Sequence, residues 1–176
     1  MQLRAFPLDS LLEWDRRWAR RLNASVGVAP LRVLFRLVSR LGDGVFWYAL
    51  MLGLALTQGR AGLETGLRML AAGVIGLVAY KLLKSSTTKP RPYQVLRGIR
   101  AGIDPLDAFS FPSGHTLHAV AFTLVAVAYF PALAPALVPF TLLVALSRVV
   151  LGLHYPSDVL AGAGIGVLAA QAVLFA

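Results

Sequence analysis

The stretch that decides the fold is FSFPSGHTLHAVAF, residues 109–122, in which a polar Pro-Ser-Gly-His cluster stands at the mouth of an apolar run. Such a cluster exposes backbone N–H groups and a titratable ring. The run that follows it has the apolar character of a segment made for lipid. The sequence on either side of this stretch explains why a polar cluster and an apolar run occur next to each other.

Composition indicates a membrane protein. Of the 176 residues 57% are apolar and only 14% are charged, unlike the average soluble domain. Several apolar segments are shorter than the ~20 residues of a typical span, so we expect tilt or local thinning of the bilayer. We predict an all-α, polytopic membrane helix bundle with five transmembrane helices. They lie at residues 45–57, 67–83, 116–130, 136–151 and 159–176, and the last has a close-packing face of Gly162 and Gly166.

Residues 1–43 form a predicted amphipathic, interfacial region ahead of a membrane-embedded core at residues 44–176. The start of the chain is charged throughout and lacks an apolar core followed by a small-residue cleavage site, so we expect no signal peptide. Ser10 and Glu13 have the spacing of a capping box and predict a helix over residues 11–22, with Asp15 and four arginines on its polar side.

A second amphipathic helix is predicted at residues 31–41, with leucines on one face and arginines on the other. If residues 24–41 crossed the bilayer instead, the bundle would have six spans. Burying Arg32 and Arg36 would then cost ~2.5 to 3.5 kcal/mol each on insertion scales. We therefore prefer five spans.

Alternation of five spans brings the chemistry-capable residues to one membrane face. The loop at residues 84–112, the start of the third span, the end of the fourth and the start of the fifth all emerge on the same side. An ionisable residue at the edge of a span is by default a candidate for function. The residues gathered in this way are Lys84, Arg91, Ser113, His115, Arg148, His154 and Asp158.

The three cations of this set match the demands of a phosphate group. Guanidinium forks and an ammonium complement its negative oxygens, and preorganised N–H groups supply further donors. Ser113 and Gly114 provide such donors at the start of a helix, whose positive dipole end faces the anion. The stretch quoted first is therefore interpreted as an anion cradle that caps a span.

The two histidines match the two halves of a phosphoryl transfer. His154 lies four residues before Asp158, so that the carboxylate can hydrogen-bond one ring nitrogen and leave the other free as a nucleophile. His115 adjoins the cradle, where it can give a proton to the leaving alkoxide and later take one from water. A phosphohistidine route needs no metal and no cofactor, and we predict neither.

Three motifs resemble the signature of the type-2 phosphatidic acid phosphatase superfamily, which also includes vanadium haloperoxidases. All eleven specified letters occur, in order and over about the last hundred residues: Lys84, six residues, Arg91-Pro92; Pro112-Ser113-Gly114-His115; and Ser147-Arg148, five residues, His154, three residues, Asp158. The resemblance implies an all-helical, metal-independent membrane hydrolase of lipid phosphates or diphosphates. By position it implies phosphate binding by Lys84, Arg91, Arg148, Ser113 and the Gly114 N–H, with His115 as acid, His154 as nucleophile and Asp158 as its partner.

Other polar and aromatic residues have simpler interpretations. Lys89, outside the motif positions, is expected to extend to lipid headgroups, and Trp47 to sit among the interface aromatics with Trp14, Trp18 and Tyr48. His118 is expected to be a packed or hydrogen-bonded helix residue. Asp104 and Asp107 are assigned to a solvated loop that could gate entry.

The net charge of +9 is distributed as in a membrane protein and does not indicate nucleic-acid binding. On the five-span topology fifteen Lys and Arg residues lie on the motif side and two on the other, which predicts a multi-pass protein of the inner (plasma) membrane with a cytoplasmic active face. Six spans would make that face periplasmic or extracellular.

The predicted partners are membrane lipids and a lipid phosphate substrate, with phosphatidylglycerol phosphate, phosphatidate and undecaprenyl diphosphate as candidates. Two alternatives stand beside a lipid phosphatase: a vanadate-dependent peroxidase and a non-catalytic anion-binding or transport protein. The lipid tail, the number of phosphates removed and the oligomeric state are left open.

Overall fold

The computed structural model describes residues 8–104 and 107–176, so residues 1–7 of the predicted N-terminal region and residues 105–106 of the motif loop lie outside it. The described residues form helices and connecting segments with no strand among them, which confirms the all-α prediction. The α-helices are α1 (Leu8–Asn23), α2 (Ala29–Leu41), α3 (Val45–Ser85), α4 (Pro92–Val95), α5 (Gly114–Tyr129), α6 (Ala134–Val150) and α7 (Pro156–Leu174), with short 3₁₀ turns at Ala24–Gly27 and Pro131–Leu133.

Helix α3 folds back on itself at Gly59, whose φ of 57° and ψ of −132° are not helical. A Cβ added to Gly62 would lie 1.9 Å from the carbonyl oxygen of Leu54, and one added to Gly66 would lie 3.6 Å from the Cβ of Met51. Such contacts require residues 45–58 and 60–85 to run antiparallel as the two arms of a hairpin. They correspond to the first two predicted spans, but the arms are longer than expected because a single glycine makes the turn.

Helix α5 lies at the centre of the bundle and packs on α3, α6 and α7. Glycines allow the closest approaches: a Cβ added to Gly166 of α7 would lie 2.5 Å from the Leu117 carbonyl oxygen, and one added to Gly73 of α3 would lie 2.9 Å from the Phe122 ring. The small-residue face predicted for the last helix therefore packs against α5. Trp47, predicted at the membrane interface, is instead fully buried in this core.

Three helices of the described chain are long and apolar enough to cross a membrane: Val45–Ser85, Pro131–Val150 and Pro156–Leu174. A fourth candidate is the pair Leu8–Gly27 and Ala29–Leu41, bent by 112°, and Gly114–Tyr129 is a shorter apolar helix. Large apolar side chains such as Leu56, Leu142 and Leu168 are exposed on the outside of the bundle, where lipid tails would cover them. The chain is a membrane helix bundle, and its division into five or six spans stays a prediction.

The N-terminal helix α1 packs against the rest of the molecule. It is already helical at Leu8, the first described residue, so Ser10 lies inside it, and it buries Asp15, Ala19 and Asn23 against the rest of the molecule. The Asn23 amide donates to the carbonyls of Val150 (2.8 Å) and Arg100 (2.9 Å), and its oxygen accepts from the Arg100 N–H at 2.9 Å. The sequence predicts Asp15 on the solvent-facing polar side of α1, and the structure corrects this, because its carboxylate is buried and accepts hydrogen bonds in the interior.

Candidate active site

The helix ends that carry the motifs converge on one cavity. It has a volume of about 270 Å³, and it lies where both arms of α3, the start of α5 and the end of α6 come together. Five of the predicted site residues line it: Arg91, Gly114, His115, Arg148 and His154. Lys84, Ser113 and Asp158 do not line the cavity. Their hydrogen bonds are to residues of its wall or to the segments that carry them.

A tight turn between α6 and α7 places His154 beside Arg148. The N–H groups of Leu153 and His154 both donate to the Arg148 carbonyl at 3.1 Å. Gly152, at a φ of 73°, makes this turn, and a Cβ added there would lie 2.9 Å from the Arg100 carbonyl oxygen. The turn buries the imidazole almost completely.

The two ring nitrogens of His154 have different partners. Nδ1 lies 2.5 Å from the carbonyl oxygen of Ser110, and Nε2 lies 3.3 Å from Nη1 of Arg91. A carbonyl only accepts, so Nδ1 carries the proton and the lone pair of Nε2 faces Arg91. Burial, together with the charges of Arg148 and Arg91, lowers the pKa of His154 well below its ordinary value, so the ring is neutral at pH 7.

Asp158 is not the hydrogen-bond partner that the spacing suggested for His154. Its Oδ2 lies 3.9 Å from His154 Nδ1, beyond hydrogen-bond range, because it accepts the Tyr155 N–H at 2.8 Å as part of a capping box of α7. Ser110 takes the orienting position. Its own N–H and hydroxyl donate to the Lys89 carbonyl, at 2.9 and 3.2 Å.

Arg91 is almost completely buried and reaches two sides of the site. Its Nη1 donates to the Leu153 carbonyl at 2.8 Å, and its Nε donates to the Asp107 backbone carbonyl at 3.1 Å. Its Nη2 donates to the Asp107 carboxylate at 2.7 Å. The guanidinium therefore joins the motif loop to the turn that carries His154.

The sequence predicts a solvated loop around Asp107, and the structure corrects this, because its carboxylate lies in the site. Oδ1 pairs with Lys84 Nζ at 2.6 Å, and Oδ2 accepts the Tyr80 hydroxyl at 2.7 Å. Burial alone would raise the pKa of Asp107, but the hydrogen bonds from Lys84 and Tyr80 and the charges of Arg91 and Lys84 outweigh it and hold that pKa below its ordinary value. No feature of the sequence distinguishes Asp107 from its neighbour Asp104, which is exposed.

On the opposite wall Arg148 and His115 lie near two residues that sequence reasoning missed. Arg148 Nη1 donates to the Ser39 hydroxyl, while its buried Nε has no hydrogen-bond partner among the described residues. His115 Nε2 lies 3.2 Å from Asp43 Oδ1, and burial raises the pKa of Asp43 against the opposing charge of Arg148. Asp43 belongs to the Gly-Asp-Gly break after α2, where the only local signal was a turn.

The two residues of the Ser-Gly cradle differ in their exposure to the cavity: Ser113 lies behind it and Gly114 lines it. Ser113 is fully buried: its N–H donates to the Asp158 backbone carbonyl at 3.1 Å, and its hydroxyl lies 2.9 Å from that of Thr116. Gly114 lines the cavity at the first residue of α5, and a Cβ there would lie 3.2 Å from the Tyr80 ring. His118 lies one turn further on, with Nδ1 2.9 Å from the Gly114 carbonyl, as expected of a hydrogen-bonded helix residue.

Lys89 links the N-terminal helix to the third motif, which corrects its assignment to lipid headgroups. Its Nζ lies 2.7 Å from Asp158 Oδ1, 3.2 Å from Asp15 Oδ2 and 3.0 Å from the Ser157 hydroxyl. Asp15 also accepts the N–H of Ser157 at 2.9 Å and its hydroxyl. One ammonium thus compensates two buried carboxylates.

The part of the chain that the structure describes contains no group of three or more His, Cys, Asp or Glu arranged to hold a metal.

Comparison with known proteins gives consistent matches. The PAP2 superfamily model matches residues 63–175. The lipid A 1-phosphatase of Rhizobium johnstonii is 30% identical over a 166-residue alignment that covers 82% of this chain and 67% of that protein. The crystal structure of Aquifex aeolicus LpxE matches with a TM-score of 0.77 and 25% identity over the whole of both chains.

The fold is also shared with a crystal structure described as the first transmembrane PAP2 type phosphatidylglycerolphosphate phosphatase, from Bacillus subtilis. The TM-score is 0.73 at 23% identity, covering 94% of this chain and 85% of that chain. The match of the family model, which spans more than half of the chain, agrees with the motifs and with the helical bundle. The chain therefore belongs to the PAP2 superfamily of type-2 phosphatidic acid phosphatases and is a membrane lipid phosphatase, a phosphoric ester hydrolase.

Proposed function

We propose that this phosphatase removes a terminal phosphate from a lipid through a phosphohistidine on His154, while the lipid tail stays in the bilayer. The observation that carries the proposal is the surroundings of His154 Nε2. Its lone pair faces the Arg91 guanidinium, in a cavity that Arg148 and His115 also line. A neutral imidazole beside two fixed cations can attack a phosphorus atom whose oxygens those cations hold.

The chemistry proceeds in two displacements. In the first, His154 Nε2 forms a bond to phosphorus, the bond from phosphorus to the lipid oxygen breaks, and protonated His115 gives its proton to that oxygen. In the second, neutral His115 takes a proton from water, the water oxygen attacks phosphorus, and the bond from nitrogen to phosphorus breaks. Phosphate leaves, His115 is again protonated and His154 is again neutral.

The remaining residues have positioning and binding roles in this scheme. Lys84, Arg91 and Arg148, with the Gly114 N–H, stabilise the charge on the phosphate oxygens. Ser113, predicted to bind the phosphate, supports the cradle instead, because its N–H donates to the Asp158 backbone carbonyl and its hydroxyl lies 2.9 Å from that of Thr116. The Ser110 carbonyl holds the reactive tautomer of His154, and Asp158 holds the turn that carries the ring. Burial and the charge of Arg148 favour the neutral form of His115, and Asp43, 3.2 Å from its Nε2, is the carboxylate placed to offset them when the ring takes up its proton.

Lipid A carrying a 1-phosphate is the substrate class best supported by the relatives. The Rhizobium johnstonii protein, named a lipid A 1-phosphatase, is similar over most of this chain. Phosphatidylglycerol phosphate is the second candidate, since the Bacillus subtilis phosphatidylglycerolphosphate phosphatase shares the fold. Undecaprenyl diphosphate stays in the test panel because the residues that would bind a monoester phosphate also suit a terminal diphosphate.

The test is phosphate release by purified protein in detergent from these lipid phosphates, without added divalent metal. We expect turnover in the wild type and a loss of up to about a millionfold in His154→Ala, the order seen when a nucleophile is removed. His118→Gln, which alters a cavity residue with no role in the scheme, is the matched control. Labelled substrate should leave an acid-labile phosphoenzyme, and an active His154→Ala enzyme or turnover abolished by a chelator would refute the route.

We propose that the protein lies in the inner (plasma) membrane with this cavity on the cytoplasmic side. The excess of Lys and Arg on the motif side supports that orientation, and the exposed arginines of α1 and α2 suit an anionic headgroup layer. A topology reporter fused at Ala176 should then be found on the opposite side of the membrane. Its appearance in the cytoplasm would reject this orientation.

A further inference from the structure

The cations assigned to phosphate binding already hold an anion. Asp107 Oδ1 lies 2.6 Å from Lys84 Nζ and 2.7 Å from Arg91 Nη2, and its Oδ2 accepts the Tyr80 hydroxyl at 2.7 Å. The Lys84 and Arg91 side chains are only 12% and 2% exposed, whereas that of Asp107 is 35% exposed. The carboxylate therefore reaches two nearly buried cations from the open side of the cavity.

The partners of Asp107 are ones that a phosphate would also use. A carboxylate offers two oxygens and a single negative charge to the ammonium and the guanidinium. A phosphate monoester offers three oxygens and a charge near −2 at neutral pH. Because Asp107 also lines the cavity, both anions compete for the same donors from the same side.

We propose that Asp107 is a ligand-competing residue that sets an affinity threshold: it occupies the Lys84 and Arg91 subsite in the free enzyme and leaves it when a phosphate enters. The inference deepens the proposed function and rests on it. The free energy needed to displace the carboxylate is the same for every ligand. A dianionic terminal phosphate supplies it, since its attraction to both cations exceeds that of a single negative charge. A phosphodiester has only one charge and gains little from the exchange.

Such a threshold matters at a membrane surface. The headgroup layer presents phosphodiesters of ordinary phospholipids at high local density, and an open basic cavity would bind them. When Asp107 occupies the two cations, phosphodiester headgroups bind too weakly to fill the site. Terminal phosphate groups, which the enzyme cleaves, still enter.

The test compares the binding of inorganic phosphate, a dianion, with that of dimethyl phosphate, a diester monoanion. Titrations followed by phosphorus NMR with the purified full-length protein in detergent give both dissociation constants without relying on turnover. In Asp107→Asn we expect both constants to fall by about tenfold, the factor that corresponds to one charge-assisted hydrogen bond. Glu64→Gln removes the same charge from an exposed position near the Gly59 turn of α3, outside the cavity lining, and both constants should stay at wild-type values.

Two outcomes would overturn the inference. Unchanged or weaker phosphate binding in Asp107→Asn would show that the carboxylate orients the cations and does not compete with the ligand. A gain for phosphate without a gain for dimethyl phosphate would show that the carboxylate stays beside the bound ligand and repels it by charge. Hydrolysis that does not depend on His154 would reject the proposed function by a separate measurement.

A second variant keeps the test informative if Asp107→Asn does not fold. Tyr80→Phe removes one hydrogen bond to the carboxylate and leaves Lys84 and Arg91 in place. Loosening Asp107 in this way should lower both dissociation constants by about threefold, at the low end for a single hydrogen bond. Higher constants for the two probes would contradict displacement.

Discussion

Gly162→Ala should disable the active site without changing any residue that touches substrate. Gly162 lies on α7, and a Cβ added to it would be 2.4 Å from the Ser113 carbonyl oxygen and 3.3 Å from its carbonyl carbon. Ordinary contact begins at 3.4 Å, so α7 and the start of α5 must move apart by about 1 Å. Ser113 directly precedes Gly114 and His115, so this displacement reaches the phosphate cradle and the proposed acid.

A misplacement of about 1 Å at reacting groups lowers turnover by about a hundredfold, and we expect a loss of that order in kcat. Overpacking should also lower the free energy of unfolding by about 1–3 kcal/mol. The assays are phosphate release from a lipid phosphate and thermal melting in the same detergent. They separate a displaced site from an unfolded protein.

The same helix provides two matched controls. Gly164→Ala adds a methyl with nothing within 4 Å, so activity should be unaffected and the melting temperature equal to or slightly above that of the wild type, since alanine is the better helix former. Gly166→Ala adds one 2.5 Å from the Leu117 carbonyl oxygen, one turn deeper in the bundle, and should destabilise the protein with a smaller effect on kcat. Wild-type turnover in Gly162→Ala, or an equal loss in Gly164→Ala, would refute the reasoning.

Two further predictions concern charge. Lys89→Met removes the cation shared by Asp15 and Asp158 and should lower the free energy of unfolding by about 3 kcal/mol, because two buried carboxylates lose their compensation. Melting in detergent measures the loss, adding Asp15→Asn should restore part of it, and a Lys89→Met protein as stable as the wild type would contradict the shared ion pair. The second prediction follows from the pKa of His154, which folding lowers well below the 6.5 of the unfolded chain, so below that pH the unfolded state binds more protons. Stability should therefore decrease as the pH falls from about 7 to about 5, by up to about 1.4 kcal/mol per pH unit. His154→Gln should show a smaller slope, and equal slopes in the two proteins would show that His154 does not carry the effect.

Local sequence patterns were sufficient to predict features that depend on neighbouring residues alone, such as helices and turns. Apolar runs of near-bilayer length predicted the helices, and glycine spacing predicted a close-packing face on the last helix, which the structure places against α5. The break at residues 42–44 also occurs as expected. Boundaries were less accurate: the helix expected to begin at residue 11 is already formed at Leu8, the first described residue, and the arms of α3 extend to a turn at Gly59.

Partner choice inside the site could not be predicted in the same way. The spacing of His154 and Asp158 allowed a hydrogen bond, but capping of α7 takes that carboxylate and Ser110, 44 residues away, takes the imidazole. Asp15 accepts a hydrogen bond from Ser157, which is 142 residues away in the sequence. Asp104 and Asp107 have similar sequence surroundings, but Asp104 is exposed and Asp107 is half-buried in the site.

By itself the sequence determined the class of the protein and the chemical character of its site, because hydrophobic run length and the identities and order of the motif residues are properties of the chain. Only the tertiary structure decided which nitrogen of His154 carries the proton, which carboxylate pairs with Lys84 and Arg91, and which lysine pairs with Asp158. The reason is that buried polar groups must find hydrogen-bond partners, and each one is satisfied by whichever groups the packed helices bring within about 3 Å.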